Sequence, residues 1–347
     1  MNNLLKVGSK APGFALNTAP GESLRLGDLS GKPVVLAFYP ADWSPVCGDQ
    51  LGLYNEALHK LEELDAQLIG ISVDSEWCHK AYRETRQLRF PLLADFEPKG
   101  KISKLYNSYN DKRGASARTL YVIDAEGIIC WNYSSPEDVN PGMSGFLQAL
   151  RQLNGQSIIC EDVALLNEGD HSRGSTIAHV TLLEFGDYEC SHCRAAHDVV
   201  KQLLDHFELQ VRYVFKNFPL TKIHPHAEAA AEAAESAAGL GNFWEMHDAL
   251  FANQNDLRPE SLLRYADSLG INTKQMAEDL KTHCYMPRVK SDFDSGIENG
   301  VNGTPAFFIN GVRYDGSYNL EALSKAIELA LAGENSTNSV SRMKEAV

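Results

Sequence analysis

The 347-residue chain has no apolar run of membrane-spanning length, which argues against a membrane-embedded protein. It has no basic block either. Acidic residues outnumber basic ones 46 to 32, for a net charge of −14, so neither nucleic acid nor an anionic membrane is expected as a partner. Its first ten residues, Met1-Asn2-Asn3-Leu4-Leu5-Lys6-Val7-Gly8-Ser9-Lys10, lack the long apolar stretch of a secretory signal, and a cytoplasmic protein is expected. Cysteines are few: seven, at 47, 78, 130, 160, 190, 193 and 284, with one closely spaced pair. An odd and sparse set does not build a disulfide framework; it suits redox chemistry with spare thiols.

What is present has the composition of a globular protein, 44% hydrophobic, and its length suggests two domains of about 150–180 residues. The apolar run Val34-Val35-Leu36-Ala37-Phe38 reads as a buried strand. A helical pattern follows Cys47, with Leu51, Leu53, Tyr54, Leu58 and Leu61 on one face and an end near Asp65. Further strands are expected at 67–73, 91–94, 119–124 and 128–133, the last two forming a hairpin, with helices at 75–88, 98–107 and 143–153. Strands alternating with helices imply a mixed α/β sheet covered on both faces. Residues 154–175 have no clear period. The same grammar then restarts, with strands at 180–185, 211–215, 306–309 and 312–314, and helices filling most of 226–299. These patterns set a first domain at 1–153, a linker at 154–167, a second domain at 168–334 and a polar tail at 335–347.

In both halves a cysteine stands where a strand gives way to a helix. Unpaired backbone N–H groups and the helix dipole favour an anion there. In the first half, Ser44 precedes Cys47 by one helical turn and offers a hydroxyl, Pro40 would limit water, and Arg118 opens the strand at 119–124 as a guanidinium donor. Each also has a plainer explanation: Ser44 as a helix cap, Pro40 as a turn residue, Arg118 as a solvated strand end.

Together, Pro-x-x-x-Ser-x-x-Cys at 40–47 and Arg118 in Arg-Thr-Leu-Tyr-Val-Ile-Asp resemble the peroxiredoxins of the AhpC/TSA type, over about residues 5–153. The resemblance implies a thioredoxin-fold peroxidase in which Cys47 is the peroxidatic cysteine, passes through a sulfenic acid, and shares its site with Pro40, Ser44 and Arg118. The chain departs from the pattern in having Ser44 where threonine is commoner and Gln50 where many members are acidic. Gly52 stands where one subgroup keeps its resolving cysteine, and no C-terminal Val-Cys-Pro occurs. Cys78 is then the first resolving candidate, with Cys160 and Cys190 also open, while Cys130 reads as buried in a strand.

The second half carries Cys190-Ser191-His192-Cys193. The helix dipole should make Cys190 the attacking thiolate and Cys193 the thiol that closes or releases the disulfide, with His192 adding an imidazole. Thr304-Pro305 would supply a cis-proline loop facing the dithiol, and Glu184 would accept a proton from Cys193 unless it is only an edge carboxylate. Zinc on Cys190, His192, Cys193 and His197 is the rival reading, weakened by the absence of a second ligand pair. His224 and His226 read as structural. Residues 168–332 resemble the DsbA-like thiol–disulfide oxidoreductases, which implies a second thioredoxin fold with a helical insertion.

The leading expectation is a thiol-dependent peroxidase that reduces hydrogen peroxide or organic hydroperoxides at Cys47, with Cys190/Cys193 relaying electrons from an external thiol reductant (thioredoxin, glutaredoxin or a small thiol). No cofactor or metal is expected, and a homo-oligomer is left open. The alternatives are a peroxide-driven generator of disulfides in client proteins and a thiol-based peroxide sensor.

Overall fold

The structure, a computed structural model, describes residues 4–155 and 165–333. Cys160, most of the expected linker at 154–167 and the tail at 335–347 lie outside the described residues. The chain forms two compact units, the first built on Met1–Asp162 and Ile297–Asn302 and the second on Val163–Gly296 and Gly303–Val347.

The first unit runs β1 (Ala15–Ala19), β2 (Glu22–Arg25), β3 (Val34–Phe38), α1 (Pro45–Glu56), α2 (Leu58–Glu62), β4 (Gln67–Ser72) and α3 (Glu76–Arg86). It continues through β5 (Leu92–Ala94), α4 (Lys101–Leu105), β6 (Tyr109–Asn110), β7 (Ala115–Ser116), β8 (Thr119–Ile123), β9 (Ile129–Ser134) and α5 (Ser144–Leu153). Seven strands form one mixed sheet in the order β2-β1-β5-β4-β3-β8-β9. β3 lies inside it, parallel to β4 and antiparallel to β8. All five of its residues are buried, as expected of a strand covered on both faces, and Val34, Val35, Leu36 and Phe38 each contribute roughly 1.5–3 kcal/mol by burial.

Two local expectations change. The helix after Cys47 does not continue to Asp65: Ala57 leaves helical geometry (φ −92°, ψ 17°) and a second short helix begins at Leu58. Leu58 and Leu61, in the second helix, are both buried. The segment 98–107 holds only the five-residue α4, and the small β6–β7 ribbon beyond it carries no alternating pattern.

The second unit comprises β10 (His171–Gly174), β11 (Val180–Gly186), α6 (Ser191–Phe207), β12 (Val211–Asn217), α7 (Ala227–Gly239) and α8 (Phe243–Ala252). It is completed by α9 (Pro259–Ser268), α10 (Thr273–Thr282), α11 (Met286–Glu298), β13 (Ala306–Ile309), β14 (Val312–Tyr314) and α12 (Leu320–Leu331). Its sheet order is β10-β12-β11-β13-β14, and the helix-rich stretch α7–α11 falls between β12 and β13. The alanines of α7 favour helix and present almost no side-chain bulk, so α8 packs closely against it.

β10 falls in the stretch without a period. Its sequence, His-Ser-Arg-Gly, is polar because it is an edge strand, held by antiparallel pairing to β12 and by its side chains. His171 reaches Glu235 at 2.9 Å and stacks on Phe243, and Arg173 pairs with Asp248 at 3.0 Å.

Candidate functional site

In the first unit the site forms where β3 ends. Ser44 is the N-cap of α1, and its Oγ accepts from Cys47 N–H at 3.4 Å. Capping and proximity to the sulfur are thus one arrangement rather than alternatives. Cys47 is fully buried at the third helical position, and Pro40 lies half-buried in the loop before it. β8 runs antiparallel to β3 with Thr119 opposite Phe38, which brings the entrance of β8 beside the exit of β3. Arg118 therefore arrives next to Cys47 and donates Nη2–H to its Sγ at 3.5 Å.

Arg118 is itself buried and held from two further sides. Nε and Nη2 donate to the Glu137 carbonyl at 3.2 and 2.8 Å, and Nη1 donates to Gln50 Oε1. The Gln50 amide in turn donates to Tyr54 Oη at 3.1 Å, and Tyr54 donates to the Gly142 carbonyl at 3.1 Å. A neutral glutamine orients the guanidinium without neutralising it, leaving its charge facing the sulfur.

A second buried network lies behind the loop. Asp42 accepts from Tyr39 at 2.8 Å and meets His79 Nδ1 at 2.9 Å, and Asp74 accepts from Asp42 N–H at 2.9 Å. None of these residues stands out in the sequence, because Asp42 is a single acid in a turn-like stretch. Trp43 beside it takes a left-handed backbone (φ 61°) and sets its ring edge-on to Tyr82. Cys78, half-buried at the third position of α3, is pushed up to about 11 by burial and then by Asp42 and Asp74.

In the second unit Cys190 caps α6 and Cys193 lies one turn in, both buried and both free thiols. The Cys193 hydrogen bond pulls the Cys190 thiol down to about 6, against desolvation and with help from Thr304. The Thr304 carbonyl lies 3.4 Å from Cys190 Sγ, and the buried Thr304 hydroxyl has no hydrogen-bond partner among the described residues. Antiparallel pairing of β11 with β13, Phe185 opposite Ala306, brings this loop to the dithiol. The Thr304–Pro305 peptide is cis. Burial drives Cys193 in the opposite direction, well above its ordinary value. The two thiols are thereby separated into a nucleophile and a proton-holding partner. In the reduced protein, alkylation of Cys190 should follow an ionisation midpoint near 6. Rates measured by mass spectrometry across the pH range check this, and a midpoint at the ordinary thiol value of 9.0 contradicts it.

Glu184 is not an edge carboxylate. It sits on β11, the central strand of the sheet, 1% exposed. Tyr213 donates to its Oε2 at 2.7 Å, and Oε1 has no partner among the described residues. Burial raises its carboxyl to about 8, with a smaller push from Cys190. His192 is exposed and pairs through Nδ1 with the Tyr318 hydroxyl at 2.7 Å.

Among the described residues, two side-chain groups bring metal-ligating atoms within 4.8 Å of one another: His197 with His247 and Asp248, and Asp42 with Asp74 and Cys78. In the first, Arg173 already holds Asp248; in the second, the carboxylates are engaged by the hydrogen bonds just described. Cys190, His192 and Cys193 belong to neither group.

Residues 7–132 match the AhpC/TSA family model, and residues 166–329 match a thioredoxin family model. Among curated relatives, the Na(+)/H(+) antiporter NhaA 1 of Salinispora arenicola is 48% identical over 164 residues, covering 47% of this chain and 25% of that protein. The chain spans about a quarter of the length of the curated relatives it matches, and the transport named there belongs to those longer proteins. No helix among the described residues is long and apolar enough to cross a membrane. Among solved structures, the reduced 2-Cys peroxiredoxin of Plasmodium vivax is 26% identical, covering 44% of this chain and 83% of that one at a TM-score of 0.40. Peroxidoxin BcpB of Mycobacterium tuberculosis is 27% identical, covering 43% and 98% at 0.39. By the two family models, the chain joins an AhpC/TSA-family domain to a thioredoxin-family domain.

Proposed function

We propose that the protein is a thiol peroxidase with its own electron relay, acting in domains at 1–153 and 168–334. The observation that carries this reading is the buried contact between Arg118 and Cys47, 71 residues apart in sequence. A guanidinium beside a sulfur at a helix N-terminus suits both the attacking anion and the leaving oxygen. The Cys47 thiolate attacks one peroxide oxygen, the O–O bond breaks, and the departing alkoxide or hydroxide takes up a proton. Cys47 is left as a sulfenic acid.

A second thiolate then attacks that sulfur, forming a disulfide and releasing water. Cys190, ionised near 6, is mostly thiolate at neutral pH, whereas Cys78, held near 11, is not, so Cys190 of the same or another chain is the resolving thiol. A short covalent connection would hold a relay dithiol at about millimolar effective concentration. Cys193 attacks Cys190, giving its proton to the fraction of Glu184 that is ionised, a fraction that grows as the pH approaches about 8; this frees Cys47 and leaves a Cys190–Cys193 disulfide. An external thiol reduces it.

Disulfide mapping after one equivalent of peroxide tests the sequence of events. A Cys47–Cys190 peptide followed by Cys190–Cys193 is expected; a Cys47–Cys78 peptide as the sole product refutes the relay. The ionised Cys190 also favours a second reading, since a stable thiolate makes an oxidising couple. Electrons would then flow from client thiols through the dithiol to peroxide, installing disulfides. A reduction potential well above that of thioredoxin, together with oxidation of a reduced client protein, would favour that direction.

A further inference from the structure

β11 and β12 run parallel with Gly186 opposite Asn217, so the chain leaving β12 passes beside the turn from Asp187 to Cys190. There Asp187 is buried and fully engaged. Its Oδ1 accepts from Glu189 N–H at 2.7 Å, and its Oδ2 accepts from Leu220 N–H at 2.9 Å and meets His224 Nδ1 at 2.8 Å. The main chain of the same residue touches both cysteines. Its N–H donates to Cys193 Sγ at 3.4 Å, and its carbonyl accepts from Cys190 N–H at 3.2 Å.

A buried carboxylate so close to two sulfurs opposes negative charge on either, and Asp187 acts in that sense on both thiols. His224 stands on the far side of this carboxylate, with a fifth of its side chain exposed. Burial pulls its imidazole down, but the hydrogen bond and charge of Asp187, then Cys190 and Glu189, raise it above its ordinary value overall. Glu189 is tethered to His226 N–H at 2.6 Å. The groups facing the imidazole are thus Asp187, Glu189 and Cys190, all on the turn before α6.

We propose that His224 is a positioning residue of the dithiol: as an imidazolium on Asp187 it cancels that carboxylate at the two sulfurs and so favours the Cys190 thiolate. This rests on reading Cys190/Cys193 as an exchanging couple.

The test is the dithiol–glutathione equilibrium of the full chain. In His224→Gln the amide can still donate to Asp187 but carries no charge. At about pH 7 this variant should shift about tenfold toward the disulfide, about 30 mV more reducing. The gap should narrow as the pH rises and the wild-type imidazole loses its proton. In an Asp187→Asn background the same substitution should change nothing further. A gap that does not vary with pH, or no gap, overturns the inference while leaving the exchange reading intact. Wild-type protein that never equilibrates with glutathione overturns both. The reciprocal measurement needs no variant: the His224 imidazole, followed by NMR, should titrate at higher pH in the reduced than in the disulfide protein. Equal midpoints overturn the inference.

Discussion

Cys47→Ser should lower peroxide consumption by at least about a thousandfold, the scale on which removal of a nucleophile acts. The substitution is nearly isosteric at a buried site capped by Ser44, so the fold should persist. A serine hydroxyl stays protonated at neutral pH and attacks no peroxide. Arg118→Lys, which keeps the charge, should still cost about a hundredfold, because one ammonium cannot make the contacts that the guanidinium makes to Gln50, the Glu137 carbonyl and Cys47 together. Stopped-flow consumption with excess reducing thiol reads both. Undiminished turnover in Cys47→Ser would end the peroxidase reading.

The second large effect concerns stability and has a defined sign. Glu184 holds its proton to about 8 in the folded protein, against an ordinary 4.5. Between these values the folded chain binds a proton that the unfolded chain does not, so stability falls as pH rises through this window and is lowest above about 8. The full shift corresponds to at most about 5 kcal/mol. Glu184→Gln removes this loss. The variant and the wild type should be of similar stability near about pH 5, and the variant more stable by several kcal/mol near about pH 9. A buried amide must also satisfy its N–H₂ where Oε1 has no partner among the described residues, which trims the gain. Hydrogen exchange of the β11 and β12 amides measures the effect within this domain. A stability difference that does not vary with pH would refute it. Under the proposed relay the same variant should slow release of a mixed disulfide from Cys190 above about pH 8, where Glu184 is ionised and can take the Cys193 proton. Above about pH 8, stability and exchange rate therefore move in opposite directions, as expected where a buried ionisable group is retained for chemistry.

Much of this protein was legible one segment at a time. Apolar runs and helical periods located β3, β8, β11 and most helices, because those signals are local. The Ser44-to-Cys47 spacing and Cys190-x-x-Cys193 likewise identified the helix starts that carry the sulfurs, since a cap and its first turn lie within a few residues of each other. β10 escaped because an edge strand of His-Ser-Arg-Gly has no period of its own and exists only as the partner of β12. The break at Ala57 escaped because helix propensity continues through it.

What the tertiary structure decided is the electrostatics. Register between β3 and β8 brings Arg118 to Cys47 and distinguishes it from a solvated strand end. Placement on the central strand, where water is excluded, keeps Glu184 protonated up to about 8. The parallel pairing of β11 with β12 turns His224, unremarkable in sequence, into the partner of Asp187. Burial and long-range pairing set each of these charges, and neither follows from the order of residues within a single segment.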